Sequence, residues 1–170
     1  MSTADVTAAG PRPVVVGVDG SPESAAALAF ALDEAARRGA RLRVVTAVRV
    51  PEYWNTAYRH GAPPPPPDMV ESIRKGARET TQQAVDEVVA AGGAGTAAVP
   101  VTVDVITGVP AEVLLEAARD ASLLVLGHRG HRLVASAVLG SVGLQCVLHA
   151  SGPVTIVPRV TEAGSGKIPD

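Results

Sequence analysis

The sequence predicts an α/β domain: a single doubly wound five-stranded parallel sheet, order 3-2-1-4-5, with helices on both faces. Three observations predict it. Short runs rich in valine and leucine alternate with longer segments whose apolar residues recur at helical spacing, as strand–helix crossovers require. The runs Val14–Val18 and Leu123–Leu126 are apolar nearly throughout, the mark of strands buried on both faces of a parallel sheet. At 170 residues the chain fits one domain, and no composition break divides its middle.

Residues 1–11 and 160–170 are small, polar and without periodicity, and are expected to be disordered tails around a domain over 12–159. The first strand, Val14–Val18, ends at Asp19-Gly20. Ser21-Pro22-Glu23 then supplies an N-cap hydroxyl, a proline at the first helical position and a carboxylate in the first turn. Ala25, Leu28, Ala29, Leu32, Ala35 and Ala36 are expected on the buried face of this helix, which Gly39 ends. The second strand is Leu42–Val48.

Residues 49–67 break the pattern with Tyr53, Trp54, Tyr58 and then Pro63–Pro67, expected to lie extended as polyproline II. The aromatic cluster suits a lid, a partner contact, or rings that pin the loop to the sheet. From Asp68 a helix is expected with Val70, Ile73, Ala77, Thr80, Ala84 and Val88 on one side, ending near Gly92-Gly93. The third strand, Val101–Ile106, alternates and follows Pro100, both features of a sheet edge. Pro110 opens a helix with Leu114, Ala117, Ala118 and Ala121 inward. Leu123–Leu126, a glycine loop, a helix from Ser141 and a last strand, Val154–Val157, complete the series.

With the third strand at one edge and right-handed crossovers, the order 3-2-1-4-5 follows. It puts the topological switch between strands one and four, and ligands of such sheets bind outside the strand ends there. Asp19 leaves strand one at that point, and Gly127 leaves strand four.

Composition bounds the function. Only Phe30, Tyr53, Trp54 and Tyr58 are aromatic, so the core is aliphatic. A net charge of −2 with interspersed signs gives no nucleic-acid footprint. A lone cysteine, Cys146, suits a reducing compartment and excludes an internal disulfide. The start of the chain does not read as a signal peptide, and no apolar run approaches the roughly 18 residues that span a bilayer. The expectation is a cytoplasmic protein with no membrane association.

The stretch after strand four carries the chemistry. Gly127, Gly130 and Gly140-Ser141 place flexible backbone and a helix start beside one another, a natural phosphate cradle. The same glycines also serve tight turns, Ser141 serves as an N-cap, and Asp19 serves as an Asx turn before Ser21. Arg129 and Arg132 could meet phosphates or form a solvated basic loop with His128 and His131. The four histidines lack zinc-ligand spacing. No GxxxxGK[ST] loop and no nucleophile–base pairing are suggested.

With VVVGVDGS at the start, Gly127-x2-Gly130-x9-Gly140-Ser141 in the loop and GPVTIVP at the end, the chain resembles the universal stress protein family, in its ATP-binding branch, over residues 12–159. The resemblance implies a Rossmann-like fold and a stress-response regulator that binds ATP or another adenine nucleotide, with Mg²⁺ accompanying it. It assigns Asp19 to the nucleoside and Gly127, Gly130, Gly140 and Ser141 to the phosphates and ribose. Val142 adds a backbone N–H, Val18 and Val48 would wall the adenine, and Arg129 would approach the phosphates. Two other readings compete: a slow ATP-hydrolysing enzyme, and a scaffold that binds no nucleotide. The last strand, Val154, Thr155, Ile156 and Val157, is short, apolar and uncharged. It is expected to pair with its copy in a homodimer, as the family commonly does, unless the tail covers it.

Overall fold

The computed structural model describes residues 10–49, 59–61, 63, 66–128 and 139–158. Its strands are β1 (Val14–Gly17), β2 (Leu42–Val48), β3 (Val101–Thr107), β4 (Leu123–Gly127) and β5 (Val154–Val157). Its helices are α1 (Pro22–Arg38), α2 (Pro67–Ala91), α3 (Ala94–Ala97), α4 (Pro110–Ala117) and α5 (Ser141–His149). The sheet is parallel in the order β3-β2-β1-β4-β5, as the strand pattern predicts. Residues 1–9 and 159–170, the aromatic cluster Tyr53, Trp54 and Tyr58, and Pro64 and Pro65 of the proline run lie outside the described residues.

Strand alternation sorts the core into two layers. Val14, Val16, Val44 and Val125 pack under α1 and α2 with Leu28, Leu32 and Val85. Val15, Val45, Leu124 and Leu126 pack under α4 and α5 with Leu114 and Cys146. Both faces of β1 and β4 are covered, so these strands carry no polar side chain.

Two helix faces depart from expectation. In α1 the buried residues are Ser24, Ala27, Leu28, Ala31, Leu32 and Ala35, while Ala25 and Ala29 are exposed. Alanine occupies every side of this helix, so only the leucines set its phase. Ser24 tolerates burial because its hydroxyl donates to the Ser21 carbonyl at 2.8 Å. In α2 the buried threonine is Thr81, not Thr80, which is exposed and donates to the Gly76 carbonyl at 3.0 Å. Pro67 is the first residue of α2 rather than part of the extended run, since proline's fixed φ suits that position. Gly39 ends α1 in the left-handed conformation, φ 58°.

Candidate functional site

A crevice of about 700 Å³ opens at the carboxyl ends of β1, β2 and β4, at the switch between β1 and β4. Such a volume suits a nucleotide-sized ligand. Val18 and Asp19 line it from β1, Val48 from β2, Gly127 from β4, and Gly140, Ser141 and Val142 from the start of α5. Seven of the nine residues singled out in the sequence therefore meet in one cavity. The other two, Arg129 and Gly130, lie outside the described residues.

At the β1 end, Val18 extends the ladder by donating to Val45 at 2.9 Å. The chain then turns at Gly20, whose φ of 82° explains the glycine. Asp19 Oδ1 accepts from Ser21 N at 3.0 Å and Ser21 Oγ at 2.6 Å, an Asx turn. Ser21 Oγ in turn accepts from Ser24 N at 3.2 Å and caps α1. The carboxylate is thus fixed at the crevice rim by the element it starts.

Gly127 is a point of close approach. A Cβ there would lie 2.8 Å from the Glu23 carbonyl oxygen, so the first turn of α1 can lean on β4 only over a glycine. Beyond it, His128 N donates to Val157 O at 2.9 Å and Gly140 N to His128 O at 3.2 Å, which ties the start of α5 to the end of β4.

The N-cap of α5 is Gly140, with φ −62° and ψ 153°, and no side chain caps the helix. Ser141 is therefore the first helical residue and not the cap expected from sequence. Leu144 N makes the first intrahelical bond, to Gly140 O at 2.9 Å. Helix geometry leaves the N–H groups of Ser141, Val142 and Gly143 without intrahelical acceptors. All three line the crevice, beside an exposed Ser141 hydroxyl and the positive end of the helix dipole. This donor array fits an anion.

The family model for the universal stress protein family matches residues 11–158. The chain belongs to that family. A universal stress protein of Mycobacterium tuberculosis is 36% identical over 152 residues, which cover 86% of this chain and 48% of the relative. The chain thus spans about half the length of the curated relatives it matches. Among solved structures, a universal stress protein in complex with cAMP superposes with a TM-score of 0.56 at 26% identity, covering 88% of this chain and 98% of the other. A universal stress protein from Archaeoglobus fulgidus in complex with dAMP gives 0.58 at 23%, covering 86% and 97%.

The crevice of this universal stress protein has walls that the sequence did not suggest. Thr46 and Arg49 join it from the β2 end, Gly76, Ala77, Thr80 and Thr81 from α2, and Pro110 and Leu114 from α4. Thr46 and Thr81 are buried and share a hydrogen bond of 2.9 Å. A threonine within the apolar run Val44–Val48 was the available signal for the first of them. Membership of the α2 wall depends on the helix's rotation, which a pattern one residue out of phase hides. Asp19 is the one carboxylate among the described lining residues. No helix among the described residues is long and apolar enough to cross a membrane.

Proposed function

We propose that this universal stress protein binds an adenine nucleotide, ATP with Mg²⁺, in the crevice, and acts as a cytoplasmic stress-response regulator rather than a dedicated enzyme. The observation that carries the reading is the uncapped start of α5, whose N–H groups open into the cavity at the switch point. The phosphates would rest on Ser141, Val142 and Gly143 N–H beside Gly127, with Gly140 leaving room and Gly130 and Arg129 completing the loop. Val18 and Val48 would flank the base, and Asp19 would accept from the nucleoside. The cAMP complex of a 26% identical relative supports an adenine ligand. Mg²⁺ usually needs one or two carboxylates besides phosphate oxygens, and Asp19 is the carboxylate among the described lining residues that would serve it or the nucleoside.

The first experiment is to denature the purified protein and analyse the released small molecules, then to titrate ATP, ADP, AMP and cAMP by calorimetry with and without Mg²⁺. Adenine nucleotide in the extract, or saturable binding of one of these, is expected. An extract without adenine nucleotide together with no saturable binding would overturn the reading. Gly140→Val should abolish binding in a folded protein, because the ordinary φ of Gly140 admits a side chain that would stand over the donors. Undiminished affinity would remove Gly140 from the site.

A further inference from the structure

Thr46 on β2 and Thr81 on α2 are 8% and 3% exposed, and their hydroxyls lie 2.9 Å apart. Among the described residues this is the one hydrogen bond that either hydroxyl makes. Two hydroxyls carry two hydrogens, and one bond uses one of them. Among the described residues the pair therefore keeps one O–H donor and several lone pairs without a partner. Both residues line the crevice.

Their neighbours say what could meet them. The α5 start, with its array of donors, lies across the crevice on β4. The β2–α2 side offers Val48, Ala47 and Ala77, an apolar stretch of wall, with Arg49 following at the end of β2. At Gly76 a Cβ would meet nothing within 4 Å, so there is open space against that turn of α2. A flat heterocycle with a ring acceptor fits against Val48, Ala47 and Ala77, while the phosphates find their donors across the crevice at the α5 start.

We infer that the Thr46–Thr81 hydroxyl pair hydrogen-bonds the nucleobase and so selects the ligand at its base end. The inference rests on the nucleotide reading and adds the residues that hold the base. A direct contact makes both threonines specificity determinants, whereas a purely internal bond would make them core residues.

The two roles separate in a pair of variants. Thr46→Val or Thr81→Val alone strands a buried hydroxyl and should lower the melting temperature. The double variant T46V/T81V replaces both partners with groups of the same shape and should recover most of that loss. Calorimetry should nevertheless show adenosine and ATP binding weakened about three- to tenfold in the double variant, the equivalent of one hydrogen bond. Inorganic tripolyphosphate, which lacks a base, should bind as it does to the unaltered protein. Equal adenosine affinity in the double variant and the unaltered protein would overturn the inference. So would an equal loss for tripolyphosphate. If the double variant does not fold, Thr81→Ser, which keeps the hydroxyl, is compared with Thr81→Val; equal affinities overturn the proposal. Failure of the unaltered protein to bind any adenine compound would overturn the nucleotide reading as well.

Discussion

Gly127 and Gly140 both line the crevice, yet they are glycines for different reasons. Gly127 has the Glu23 backbone pressed against the position of its missing Cβ. Gly127→Ala is expected to force α1 away from β4 and cost about 1–3 kcal/mol, the usual range for overpacking. Urea denaturation would check it, and an unchanged midpoint would mean that α1 shifts freely. Cys146 offers a second test at this scale. It is fully buried, and burial pushes its thiol pKa up. The folded state then holds the thiol proton more tightly than the unfolded chain. Its contribution is intact below the unfolded thiol's pKa, about 8.5, and is lost as pH rises beyond it. Stability should decline in that window, and less steeply in Cys146→Ala; parallel declines in urea titrations would show that the thiol plays no part. The sequence made the glycine pattern and the buried cysteine legible, because spacing and neighbours are local. It could not separate a packing glycine from a ligand glycine, because that depends on which helix arrives overhead.

At the scale of elements, strands were easier to read than helix faces. A run such as Val14–Val16 has one interpretation, whereas an alanine-rich helix such as α1 offers several equivalent faces. The rotation of α2 has a further consequence at the β3 edge. The bonds Leu42 N to Pro100 O and Gly108 N to Val48 O show that the even-numbered residues of β3 direct their backbone toward β2. Val103 and Val105 therefore present their carbonyls outward. Arg78 Nη1 donates to Val103 O at 2.9 Å and Arg74 Nη2 to Val105 O at 3.4 Å. Two arginines one turn apart thus occupy acceptors that an incoming strand would use. In Arg74→Ala/Arg78→Ala the fold should persist, with a loss of about 1 kcal/mol or less per exposed bond. Light scattering should show concentration-dependent association to species larger than the unaltered protein forms. No added association would mean that α2 itself, not its arginines, guards the edge. This device was invisible in the sequence because it needs both the strand register and the helix phase.

For the whole molecule, the two sheet edges are treated differently, and the difference bears on assembly. Among the described residues β5 has no counterpart to Arg74 and Arg78 in its hydrogen bonds, and all four of its residues are partly exposed. The bonds Leu124 N to Pro153 O and His128 N to Val157 O show that Pro153, Thr155 and Val157 direct their backbone toward β4. Val154 and Ile156 therefore face outward, and among the described residues their N–H and C=O groups have no partner. The helix beside this strand, which meets Ile156 at Gly143, exposes Leu144 and Val147 at 48% each and Leu148 at 67%. These three stand at i, i+3 and i+4 and form one apolar stripe. We propose that a second copy pairs antiparallel with β5 across a two-fold axis and covers this stripe. The register dictates the test. Proline at Thr155 would break the bond to β4 and damage the fold, whereas Val154→Pro removes an outward donor at the first residue of the strand, where proline is tolerated. Sedimentation at micromolar concentration should show a dimer for the unaltered protein and a monomer for Val154→Pro. Leu148→Glu should weaken the dimer with little cost to stability, since that side chain is largely solvated in the single chain. A monomer in the unaltered protein, or a dimer indifferent to both changes, would refute pairing through β5.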